Sequence, residues 1–159
     1  MPSIRQMVLS GVIAVCLFGT GCGGETVPGP KWPEPVEVSG KVTRQGKPLA
    51  NAQVIFVPDG TTLGPGGGGQ TNDAGEFTTQ TRWSNQKMRD GLIPGRYKVA
   101  FSRFIKPDGS VWIPAADSTE GPATFGARED LPMELSNPVE SKTVVDVESG
   151  KATYDLDIP

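Results

Sequence analysis

The chain has 159 residues, 15 basic and 18 acidic side chains for a net charge of −3, two cysteines and no histidine. That balance offers no basic stripe for nucleic acid. The missing imidazole excludes Ser-His-Asp and Cys-His nucleophiles, His-ligated zinc, iron or copper, and a histidine pH switch. Carboxylate-only chemistry, such as glycoside hydrolysis or calcium binding, survives, as does binding without catalysis, and no cofactor is expected.

Both cysteines, Cys16 and Cys22, fall in the first 22 residues. Residues 1–21 have the order of an export leader: Arg5 is the only charge, Met7 to Phe18 is almost wholly apolar, and Gly19-Thr20-Gly21 is small. The apolar run of about 12 residues falls well short of the roughly 20 that cross a bilayer as a helix. The stretch resembles a bacterial lipoprotein signal, which is cut just before a cysteine that carries diacylglycerol. Gly21 and Cys22 fit that pattern, whereas Gly19 stands where such signals carry Leu or a similar residue. The resemblance implies an exported protein of the bacterial cell envelope, held at the membrane by lipid on Cys22. Cys16 follows Val15 and reads as one more apolar residue of the leader. Cleavage would remove Arg5, leaving 14 basic against 18 acidic residues on a domain without a thiol. Such a domain depends on core packing rather than on disulfides.

Residues 22–35 contain four prolines and read as an extended tether, at about 3.1 Å per residue. Trp32 within it would rest on the membrane interface or on the domain. From residue 36 to 159 the pattern becomes that of a β domain. "VEVSGKV" puts Val36, Val38 and Val42 on one face, and "AQVIFVP" is apolar enough for a central strand that Pro58 ends. Residues 59–74, with "GPGGGG", read as a flexible surface loop. "EFTTQT" follows as a strand, and "RYKVAFS" turns Tyr97, Val99 and Phe101 inward. Residues 106–142 form an excursion too long for a bare connection, in which "SVWIP" suits a short strand and "AREDLPMEL" a partly helical turn. Function, if local, belongs there.

"TVVDVES" and "ATYDLDI" close the chain and predict a hairpin. A Ser149-Gly150 turn sets Glu148 against Lys151 and Val145 against Tyr154, whereas a Gly150-Lys151 turn would oppose Asp146 and Asp155. The first register is the expected one. These runs together predict an all-β, antiparallel sandwich without a helix of ordinary length.

Several residues suggest chemistry. Asn72, Asp73 and Glu76 lie on a turn able to wrap calcium, although turn formation alone accounts for Asn, Asp and Gly there. Asp146, Glu148, Asp155 and Asp157 read as a solvated acidic face. Glu120, Glu129 and Asp130 are the carboxylates that a hydrolase would draw on. Trp83 and Trp112 lie outside the clear core strands, where each would close the sandwich edge beneath a loop or, as an exposed ring, stack on sugars or anchor an envelope protein; closing the edge is the favoured reading, and Trp112, in the excursion, is the better binding candidate.

"VSGKVTRQGKPLANAQVIFVP", "TNDAGEFTTQT" and "GLIPGRYKVAF" resemble the carboxypeptidase regulatory-like, or transthyretin-like, domain. Gly95-Arg96-Tyr97-Lys98-Val99 matches its G-x-Y-x-V motif in full, while Thr71 to Phe77 carries one residue more than its turn pattern. The tail from Leu131 is similar to that of small lipoproteins with this domain in planctomycete-type bacteria. The resemblance implies a seven-stranded prealbumin-like sandwich that serves as an accessory module without catalysis. Hydroxyisourate hydrolases and intradiol dioxygenases share the architecture but need histidines, and this chain has none.

Overall fold

The computed structural model describes residues 31–83, 87–115, 119–150 and 153–159. Cys22, the leader and most of the tether lie outside them, as do Lys151 and Ala152 of the expected final hairpin. The described chain is mostly β, with antiparallel ladders throughout except at one strand pair.

The strands are β1 (Ser39–Arg44), β2 (Lys47–Pro48), β3 (Gln53–Pro58), β4 (Gly67–Gln70), β5 (Glu76–Thr78) and β6 (Gln80–Arg82). They continue with β7 (Met88–Asp90), β8 (Gly95–Ser102), β9 (Phe104–Ile105), β10 (Arg128–Glu129), β11 (Val144–Val147) and β12 (Leu156–Ile158). One sheet runs β11-β8-β3-β4-β6-β7; in the other, β1 pairs with β12, β2 and β5. A two-stranded ladder of β9 and β10 stands apart, and α1 (Met133–Ser136) is a single helical turn.

The period-two runs explain the core. Val54 and Phe56 of β3 alternate with Gln53, Ile55 and Val57, and their ladder partners Phe101 and Val99 of β8 lie on the same inner face. Val38 and Val42 at β1, Phe77 of β5 and Ile158 of β12 meet them from the other sheet in one hydrophobic cluster. The rings of Phe56 and Phe77, 6.1 Å apart, join the two layers. Tyr97 buries its ring against Phe56 and donates its hydroxyl to Ile93 O at 2.6 Å. Burial pushes its phenol up to about 12.

The β1–β2 hairpin turns on Gln45 and Gly46, with φ of 52° and 74°, the two positive values of a type I′ turn. The "EFTTQT" run divides between the layers at buried Thr79: β5 pairs with β1, and β6 pairs with β4. Thr79 N donates to Val38 O at 2.9 Å and its carbonyl accepts from Gly91 N at 2.7 Å, so the corner loses no backbone bond.

Three expectations are corrected. The final hairpin does not form: β11 pairs with β8, setting Val145 against Tyr97 and Asp146 against Arg96. β12 instead runs parallel to β1, with Leu156 opposite Val42, so the sandwich is not wholly antiparallel. Asp146 of β11 and Asp157 of β12 therefore belong to different sheets, Glu148 lies just past the end of β11, and the expected acidic hairpin face is not formed. Tyr154 still spans the gap, its hydroxyl donating to Asp146 O and accepting from Glu148 N, each at 3.1 Å.

The third correction concerns the glycines. Gly67 to Gln70 is a strand inside the larger sheet, not a loop. Pairing with β3 on one side and β6 on the other supplies the bonds that hold an entropically poor backbone. The missing side chains are what permit it. A Cβ on Gly68 would lie 2.4 Å from Val54 O, and one on Gly69 would lie 1.9 Å from Thr78 O.

Candidate functional site

The excursion folds back as a small hairpin. Ile105 bridges Val111, Trp112 N donates to Phe104 O at 2.8 Å, and Lys106 N donates to Ser110 O at 2.8 Å. Asp108 tightens the turn by accepting from Ser110 N and Oγ, and these bonds hold its carboxyl below the usual range. The hairpin carries Trp112 over the larger sheet. Its ring meets Phe104 edge-on at 6.2 Å and Phe125 at 6.4 Å.

Two carboxylates fasten this hairpin to the domain. Glu129 accepts from Ser102 Oγ at 2.6 Å, Arg103 N at 2.8 Å and Leu131 N at 3.2 Å. Asp130 takes the Arg103 guanidinium through two nitrogens, with Arg44 3.6 Å away. Both Glu129 oxygens and Asp130 Oδ2 are thus committed to structure. Glu120 lies exposed.

Beneath Trp112 lies a groove of about 320 Å³, floored by outward-facing residues of β3 and its neighbours. Gln53, Ile55 and Gln70 come from the sheet, Ser102 and Arg103 from the end of β8, and Phe104, Trp112 and Pro114 from the hairpin. Gln53 and Gln70 are direct ladder partners, and neither side chain bonds another described residue. The sequence singles out Trp112 as a candidate but neither glutamine. Sixteen residues lie between them, and only the β3–β4 register makes them neighbours. The available signal was a polar residue opening an otherwise apolar strand.

Trp83 is engaged elsewhere. Trp32 meets it edge-on at 5.5 Å, and the Arg89 guanidinium lies 4.5 Å from its ring centre while pairing with Glu34. Trp32 thus rests on the domain, and the end of the tether is fastened to it.

The turn at Asn72 uses its side chain internally. Asn72 Oδ1 accepts from Ala74 N and Glu76 N, both at 2.9 Å, and its amide donates to Glu76 Oε2 at 3.1 Å. Asp73 accepts a long bond from Asn51 at 3.4 Å. The Asn72 oxygen is spent on the turn, and among the described residues no three His, Cys, Asp or Glu side chains converge.

Comparison of the chain with protein-family models, curated proteins and solved structures gave no match.

Proposed function

We propose that the chain is a lipid-anchored, non-catalytic binding module of the bacterial cell envelope. Its exported domain would be a prealbumin-like sandwich of the carboxypeptidase regulatory-like kind, tethered through Cys22. The anchor and export rest on the leader; the family rests on the quoted motifs and on the all-β architecture that accompanies them. The observation that carries recognition is the Trp112 groove, where an aromatic ring and two unengaged amides share one open surface. A carboxylate-dependent hydrolase is the weaker reading, because Glu129 and Asp130 are spent on the hairpin. Of the two envelope partners that exposed aromatics suit, protein and polysaccharide, the two unengaged amides beside Trp112 favour polysaccharide.

Two results test this reading. The mature protein made in a bacterial host should begin at Cys22 and carry its mass plus acyl chains; a free Cys22 thiol would contradict the anchor. The full chain in detergent should be retained saturably by envelope fractions without consuming them. Turnover that disappears in Glu129→Gln would favour the enzyme instead.

A further inference from the structure

The floor of the groove has a specific chemical character. Among the described residues its only cation is Arg103, which is bound to Asp130, and the nearby Glu129 is satisfied by Ser102 and two backbone amides. Among the described residues no lone charge is left there to attract an ion. What remains unengaged is carboxamide: Gln53 and Gln70 stand opposite each other on adjacent strands, with Cβ atoms about 5 Å apart in such pairs. Each amide offers donors and an acceptor in one plane, which matches neighbouring hydroxyls on a sugar ring. The half-buried Trp112 supplies an apolar ring surface for the C–H face of the same sugar.

The topology argues against a protein strand as occupant. Strand addition needs an unpaired ladder edge, whereas β3, which floors the groove, is paired from Gln53 to Phe56 with β4 on one side and β8 on the other. The volume, about 320 Å³, is at the small end for ligand sites, which suits a short stretch of a longer chain. We infer that the groove binds a neutral, hydroxyl-rich polysaccharide, with Trp112 stacking on a sugar ring and Gln53 and Gln70 reading its hydroxyls. This rests on reading the chain as a recognition module.

Native affinity electrophoresis of the full chain tests the inference. The gels would contain neutral soluble polysaccharides (dextran, galactomannan, xyloglucan, mixed-linkage β-glucan) or anionic polygalacturonate. At least one neutral polymer should slow migration. Trp112→Ala should weaken that retardation about tenfold or more, Trp112→Phe should restore part of it, and Gln53→Ala with Gln70→Ala should weaken it severalfold. Trp83→Ala should leave it unchanged, and thermal melting of each variant separates lost binding from lost folding. Retardation by polygalacturonate alone, or by a neutral polymer equally in Trp112→Ala, overturns the inference. If no polysaccharide retards the chain but an envelope protein is retained through Trp112, the glycan inference fails and the recognition module stands. No retention of either kind removes both.

Discussion

Single residues carry sharply different burdens. Gly69 sits where a Cβ would lie 1.9 Å from Thr78 O, whereas Gly121 has φ of −85° and open space around it. Gly69→Ala should therefore cost about 3 kcal/mol or prevent folding, and Gly121→Ala should stay within about 0.5 kcal/mol of wild type in urea unfolding. Equal effects would mean that β4 is not held between its neighbours. Propensity alone makes four consecutive glycines a loop, because the closeness of β3 and β6 is a property of the assembled sheet. Tyr97 gives a pH test. Its folded pKa of about 12 lies above the ordinary 10.0, so the buried neutral phenol is favoured. That contribution to stability is full below pH 10 and is lost as pH rises through 12. Absorbance at 295 nm should show a step that appears only near pH 12 or with alkaline unfolding, and that is missing in Tyr97→Phe; a Tyr97 step near pH 10 would contradict its burial.

At the scale of elements, two fastenings position the ends of the domain. Glu129 holds the hairpin that presents Trp112, and its removal strands the Arg103 and Leu131 amides and the Ser102 hydroxyl. Glu129→Ala should cost about 2 kcal/mol and speed hydrogen exchange at Arg103 and Trp112 more than in β3. Uniform exchange across the domain would argue against a strut. The second fastening is the Trp32–Trp83 pair with Arg89 above it. A double-mutant cycle of Trp32→Ala and Trp83→Ala should return a coupling of about 1 kcal/mol; no coupling would mean that the tether end is loose. The strands β1, β3 and β8 were legible because each alternates or is apolar throughout, and both demands are local. The last two strands misled for the opposite reason. Nearness in sequence and charge pairing argued for a hairpin, yet β12 finds its partner 114 residues away in β1. Placing β11 and β12 in different sheets avoids the Asp146–Asp155 opposition that register choice was meant to relieve.

For the whole molecule, the functional consequence is a separation of ends. β4 runs from the Trp32 side, where a Cβ on Gly64 would lie 3.9 Å from that ring, to the groove at Gln70. A chain anchored through its amino terminus would thus hold the groove at the far end of the sheet from its tether. Trp112 stands out in the sequence as an aromatic within the excursion. The glutamines were not, since their partnership exists only after β3 and β4 pair. The groove as a recognition surface is most directly tested by NMR titration of the full chain in detergent with the polysaccharide that retards it most. The Trp112 indole N–H and the Gln53 and Gln70 side-chain amides should shift saturably, while the Trp83 indole and the Asn72 turn stay in place. Shifts centred on Trp83 or Asn72, or none at all, would contradict it.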